Sequence, residues 1–443
     1  MLILIVFVVI ISWFLFKIAA GSMSIGQLNI ISAIFYYNIM FNALPGGILI
    51  YYTNVTNSVL DKVTAEYRIM GLYLILYMMI AFPLGLLFIK SFFFKVGDIG
   101  FLTRYQNKPL VGLASTNDAH ARVMLTLLTG GCALSLLYVT WSVGNIPQLS
   151  FIYHMTHDDI LRIRVENSRH FNGLLFIKTI FFEQLTPLLS LVVYAFYRQT
   201  KKRYDKLLFV ILFIMSLYTV TFSLSKSTLV VYLAFFIFMR IYLNGRIPVM
   251  KFFIAAAILF ILLIFMFFIV TDQSTADVIV YLLNRMFIDQ VSGLYLMLQL
   301  FPQTYPFIGV DSLSSILSSL MGAEFVQPST RLAMEYAFPT AVAEGKMNLL
   351  STLFIGEAWA NFGWLGVAIS PLYVGMITGF IYYFVLSKRK TPLLIGLLTY
   401  CSFGTNFSSQ LNMYIYNSVM ISLILALGLI YFISVLAGQL SKR

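Results

Sequence analysis

LLFIKTIFFEQLTPLLSLVVYAFYRQTKKRYDKLLFVILFIMSLYTVTF, residues 174–222, decides the fold class. Two apolar runs, Leu174–Tyr197 and Leu207–Phe222, flank a knot of five cations, Arg198, Lys201, Lys202, Arg203 and Lys206. Each run matches the ~20 residues a helix needs to cross a hydrocarbon core. A basic cluster between two such runs is the mark of a cytoplasmic loop. This stretch therefore reads as two membrane-spanning helices joined inside the cell.

The pattern repeats outward along the whole chain. Spans are expected at Leu2–Ala19, Ile30–Tyr51, Met70–Ile89, Val123–Val143, Leu174–Tyr197, Leu207–Phe222, Leu229–Leu243, Phe252–Val270, Trp364–Leu386, Pro392–Phe407 and Ser418–Leu436. The expectation is an all-α polytopic membrane protein with about eleven spans, residues 1–443 forming a single integral membrane domain. Pro45-Gly46-Gly47 is expected to break the second span. The first run has no basic n-region and reads as a span, not as a cleavable leader. Composition agrees: 60% of the 443 residues are hydrophobic and only 10% are charged, where a soluble chain carries about 25% charged residues. Mean hydropathy is +0.89.

The net charge of +12 does not point to nucleic acid, because the cations sit in short clusters between apolar runs. Placing Arg198–Lys206, Lys388-Arg389-Lys390 and Lys442-Arg443 inside puts 19 of the 29 basic residues on the cytoplasmic side. Only Asp98, Asp118 and Asp205 share that side. The C-terminus is then inside and the N-terminus outside. Cys132 and Cys401 both lie in apolar runs, which suggests neither a disulfide framework nor a metal cage.

Two long connections become external: residues 144–172 and residues 271–349. Connections beyond about 12–15 residues are usually functional or disordered. The longer one is rich in aromatics, Tyr281, Phe287, Tyr295, Phe301, Tyr305, Phe307 and Phe325, which argues for order. Within it Leu313, Ile316, Leu317, Leu320 and Met321 recur at helical spacing, behind a cap at Asp311 or Ser312. Such a short amphipathic helix suits a membrane interface or packing against the loop itself. Residues 350–363 read as an interfacial or re-entrant segment ahead of the ninth span.

Charges at membrane depth mark function, since each costs about 2.5–3.5 kcal/mol or more at a helix centre. Lys178 and Glu183 lie in the fifth span, Lys226 in an outer turn, and Glu357 in an apolar stretch before span nine. The external loops add Arg162, Arg164, Arg169, Arg285 and Arg331, against the topology bias. A planar guanidinium grips phosphate oxygens bidentately, so these arginines suit a diphosphate headgroup. The plainer reading pairs them with local acids: Asp289 and Glu335 stand four residues beyond Arg285 and Arg331. His154, His157 and His170 share the first external loop, with no third ligand set by spacing, so no metal is expected. His170 is an acid–base candidate because its ordinary pKa lies near neutrality. Trp359, Phe362 and Trp364 read first as boundary anchors and second as stacking surfaces for sugars.

The chain resembles the oligosaccharide repeat-unit polymerases, the Wzy-type O-antigen and capsular polysaccharide polymerases, over nearly its whole length. The likeness rests on Asn145-Ile146-Pro147, the spacing Arg162-x10-Gly173, Leu185-Thr186-Pro187-Leu188-Leu189, and Ser225-Lys226-Ser227. It continues through Asn284-Arg285 ahead of Gly293, and Gly356-Glu357 through Asn361, Gly363 and Gly366. Lys226 stands where relatives often carry arginine, and both Arg162 and Arg164 fit the first-loop position.

The resemblance implies a bacterial inner-membrane glycosyltransferase working on the outer face. It would move a growing glycan from undecaprenyl diphosphate to a hydroxyl of the next lipid-linked repeat unit. The diphosphate would be held by Arg162, Arg164, Lys226, Arg285 and Arg331, and the acid–base work would fall to Glu357 or His170. It implies no cofactor, and as partners the lipid-linked oligosaccharides, membrane lipids and a chain-length regulator protein, with no nucleic acid. An O-antigen ligase-like transferase uses the same donor with a different acceptor. A lipid-linked oligosaccharide flippase would instead favour short loops and internal repeats, which the sequence does not display.

Overall fold

The computed structural model describes residues 1–53, 57–98, 100–112, 118–144, 146–151, 163, 171–270, 283–313, 322, 326–345, 350–404, 410–415 and 428. Among the described residues every regular element is helical. The principal helices are α1 (Leu2–Ala20), α2 (Ile30–Tyr52), α3 (Ala65–Phe93), α4 (Phe101–Asn107), α5 (Asp118–Val143), α6 (Ile177–Thr200) and α7 (Arg203–Phe222). They continue with α8 (Lys226–Asn244), α9 (Val249–Val270), α10 (Ser292–Leu300), α11 (Ser329–Ala337), α12 (Leu353–Ser387) and α13 (Pro392–Gly404).

Among the described residues eight helices are long and apolar enough to cross a membrane. They are the first seven expected spans, the seventh being α8, and α12. α9, Val249–Val270, covers the eighth expected span with 22 residues whose side chains are described only in part, α13 covers Pro392–Gly404 of the tenth, and the expected span Ser418–Leu436 lies outside the described residues apart from residue 428. The helix expected over Leu313–Met321 also falls outside them, except for the turn at 311–313 and residue 322.

Pro45 does not break the second span. α2 widens into π geometry over Ile34–Ala43 and resumes as an α-helix at Leu44. α6 repeats the arrangement, π from Ile177 to Leu185 and then Pro187 at the second position of an α segment, whereas Pro83 sits within plain α-helix in α3. A proline ring collides with the carbonyl four residues earlier and donates no hydrogen bond. Shifting the ladder from i→i+4 to i→i+5 just ahead of the ring relieves that collision. In α6 the Thr186 hydroxyl adds a bond to the carbonyl of Phe181 at 2.7 Å.

Helix pairs close where side chains vanish. An added Cβ at Gly85 would lie 2.1 Å from the Leu372 carbonyl oxygen, and one at Gly375 would lie 2.2 Å from that of Phe82. These reciprocal approaches let α3 and α12 run backbone to backbone, the packing expected where lipid supplies no hydrophobic drive between helices. α10 sits within the body, every residue from Ser292 to Leu298 and Leu300 being buried.

One end of the helical body gathers cations, two of which cap helix C-termini. Lys90 donates to the Ile18 carbonyl at 2.6 Å, ending α1. Lys390, almost wholly buried, donates to the carbonyls of Gln106 at 2.7 Å and Leu243 at 3.2 Å, tying α4 to α8. Arg122 pairs with the fully buried Asp205 through two hydrogen bonds, 2.6 and 3.0 Å, pinning α5 to α7. Cations at helix C-termini meet the negative end of the macrodipole and the unpaired carbonyls there.

Candidate functional site

The opposite end is built around a broken helix. α12 begins as a half-helix, Leu353–Phe362, in which every residue through Asn361 is buried. At Gly363 the backbone takes φ 58 and ψ −140, a conformation that a side chain would strain. The chain then turns so sharply that a Cβ on Gly366 would lie 2.1 Å from the Ala358 carbonyl oxygen. The remaining turns run on to Ser387.

A helix stopped inside protein leaves carbonyls to satisfy. Here the segment after α10 does so: Ile308 N donates to Ala360 O at 3.2 Å, and Gly309 N to Asn361 O at 2.9 Å. The same segment holds Trp359, whose indole N–H donates to Phe301 O at 2.9 Å while its ring meets Phe307 and Trp364 edge-on. Trp359 is therefore a buried tie and not a boundary anchor, whereas Trp364 is 63% exposed. Leu353–Phe362 is thus an internal half-helix, enclosed on most sides.

Glu357 stands at its centre with no solvent exposure. Its Oε2 accepts the backbone N–H of Asn412 at 3.0 Å. The backbone N–H of Leu411 also faces the carboxylate, Oε1 makes no hydrogen bond of regular geometry, and no cation lies within ion-pair distance, among the described residues. One turn later Asn361 accepts the hydroxyl of the buried Ser312 at 3.3 Å, while its Nδ2 is unpartnered among the described residues. Two residues before Asn412, the Gln410 amide donates to the Thr330 hydroxyl at 2.8 Å. Thr330 is the second residue of α11, and the position next to it is Arg331.

Arg331 pairs with Glu335 at 2.7 Å and is largely buried, while Arg285 pairs with Asp289 at 3.3 Å and is more than half exposed. Both contacts are the four-residue pairings that the spacing allowed. Asp289 also accepts from Asn57 at 3.0 Å, and Lys62 donates to the carbonyls of Tyr336 and Ala337 at the end of α11. The α2–α3 connection therefore fastens both arginine-bearing segments to the same end of the body as Glu357. The structure does not bring either arginine into contact with Glu357.

Lys226 opens α8 behind Ser225; its side chain is outside the described residues, as are Arg162, Arg164 and His170. Lys178 and Glu183 meet at 3.6 Å inside the π segment of α6. On an α-helix, residues five apart point roughly 140° away from each other. The i→i+5 ladder turns them to the same side.

Asn412, Gln410 and Thr330 were not singled out from the sequence; Ser312 was read only as a helix cap, and Asn361 only as part of the resemblance. The one available signal was the uncharged polar run Asn406 to Asn412 between two apolar stretches. Comparisons with known families, with curated proteins and with solved structures found no match to this chain.

Proposed function

We propose that this chain is a membrane glycosyltransferase that polymerises oligosaccharide repeat units carried on a lipid diphosphate, acting at the end of the body that holds Glu357. The observation that carries the reading is the Glu357 carboxylate itself. It is buried on a broken half-helix, half satisfied by a backbone N–H, and has one oxygen without a hydrogen bond of regular geometry among the described residues. A carboxylate so held is suited to take a proton from a sugar hydroxyl.

In the proposed step, the acceptor oxygen attacks the anomeric carbon of the donor glycan and its proton passes to Glu357 Oε1. The anomeric C–O bond breaks, and its electron pair leaves with the lipid diphosphate. Arg285 and Arg331 would exchange their local carboxylates for the diphosphate oxygens, which bind a guanidinium fork in the same planar manner. For the lipid, an apolar groove of about 580 Å³ runs between α3 and the second half of α12, lined by Met70, Tyr73, Tyr77, Trp364 and Val367 with Glu66 at its edge. Its open, aromatic-edged shape suits an isoprenoid chain.

The test is deletion of the gene followed by glycan electrophoresis. Glycans one repeat long support the polymerase. Polymer stranded on carrier lipid points to a ligase, and lipid-linked units held on the inner leaflet point to a flippase.

A further inference from the structure

We infer that Asn361 and Asn412 are positioning residues for the acceptor sugar, reading the reacting hydroxyl together with the hydroxyl on the neighbouring carbon; this rests on the polymerase reading above. The argument begins with three polar atoms that make no hydrogen bond of regular geometry among the described residues: Glu357 Oε1, Asn361 Nδ2 and Asn412 Oδ1, each inaccessible to solvent. Folded proteins rarely leave such atoms unpaired, because each would forfeit a hydrogen bond it makes freely in water.

Two of the three atoms share one helix face, and the third belongs to the residue whose backbone meets the carboxylate. Glu357 and Asn361 stand one turn apart, so their side chains share a face of the half-helix. Asn412 is held against the same carboxylate by its own backbone N–H at 3.0 Å. Each is fixed from behind: Asn361 by Ser312, Glu357 by Asn412, and the 410–412 turn by the Gln410–Thr330 bond. What remains without a regular hydrogen bond among the described residues is two acceptors and one donor.

A vicinal diol answers that set atom for atom. The reacting hydroxyl donates its proton toward Glu357 Oε1 and accepts from Asn361 Nδ2, while its neighbour donates to Asn412 Oδ1. A hydroxyl serves both roles in the first position because it carries one donor and two lone pairs. Enclosure sharpens the choice, since a site built to bond a hydroxyl rejects the analogue that lacks it and leaves its own polar atoms buried and unmatched.

The test uses the full-length protein in nanodiscs, a lipid-linked glycan donor, and synthetic short-lipid acceptors in which each hydroxyl neighbouring the reacting one is replaced in turn by hydrogen. For the wild type, one deoxy acceptor should show a roughly tenfold or greater rise in acceptor KM with donor KM unchanged. Asn412→Ala keeps the backbone N–H that holds Glu357. It should raise the KM for the complete acceptor by a similar factor, with little change in kcat, and show no further loss on that deoxy acceptor. Additive losses would overturn the assignment and leave the polymerase reading standing. So would a wild type that uses every deoxy acceptor equally well, whatever the variant does. A wild type that extends no acceptor overturns the polymerase reading, and the assignment with it.

Discussion

Replacing Glu357 with glutamine separates chemistry from architecture at the candidate site. The glutamine carbonyl can accept the Asn412 N–H in place of Oε2. The variant should therefore fold with a stability change within about 1 kcal/mol, the net worth of one neutral hydrogen bond. Removing the base should lower the transfer rate by roughly 100-fold or more, the usual contribution of general-base catalysis. Glu357→Leu provides the contrast: it leaves the Asn412 N–H buried and unmatched, at a cost of about 1–3 kcal/mol, and should lower the melting temperature as well as the rate. The assay is initial-rate polymer formation in nanodiscs at saturating lipid-linked repeat unit, with thermal unfolding followed on the same samples. Normal turnover by a well-folded Glu357→Gln protein would remove this carboxylate from the mechanism and leave it a helix tie.

Arg285→Ala and Arg331→Ala should abolish polymer while protein level and membrane insertion stay normal, and Arg285→Lys should restore only part of the activity because it loses the fork. Asp289→Ala keeps Arg285 and should keep activity; if it fails as Arg285→Ala does, the arginine serves only the ion pair. Burial pushes Lys390 down to about 8, so between pH 8 and its unfolded value of 10.5 the unfolded chain binds more protons. Melting temperature in detergent should therefore rise with pH across that window and level off below it. Lys390→Met should flatten that slope and lower the baseline by leaving two carbonyls unpaired; an unchanged slope refutes the assignment to Lys390. Arg122→Ala strands the fully buried Asp205 and should destabilise by about 3–5 kcal/mol, while Arg122→Met with Asp205→Leu should recover most of it, read by denaturation of the two proteins side by side.

The residues explain what the sequence could and could not disclose. Helices and their basic flanks were legible because hydrophobic length and charge are properties of a run, visible without any partner. The Arg331–Glu335 pair was legible for a similar reason, as four-residue spacing on one α-helix fixes its own geometry, while Arg285 and Asp289 meet at the same spacing across the end of a π turn. Lys178–Glu183 was not, since a five-residue spacing predicts contact only once the helix is known to be π. Pro45 was read as a break because the widening that accommodates it lies upstream, in residues with no special composition. The setting of Glu357 was hidden more deeply. Its partner is a backbone N–H 55 residues away, and a backbone donor carries no identity that a sequence can show.

The two π segments that precede Pro45 and Pro187 also bear on how this chain should align with relatives. A π turn is an α turn holding one surplus residue, so each segment behaves as a length change absorbed inside a helix instead of in a loop. A relative whose helix lacks the proline has no need of the surplus. It can run as plain α-helix with both flanks in register after losing one position between 34 and 43, or between 177 and 185. Single-residue gaps inside these apolar stretches, which alignment practice tends to penalise as errors, would then be genuine, and their presence or absence should track the proline two residues downstream.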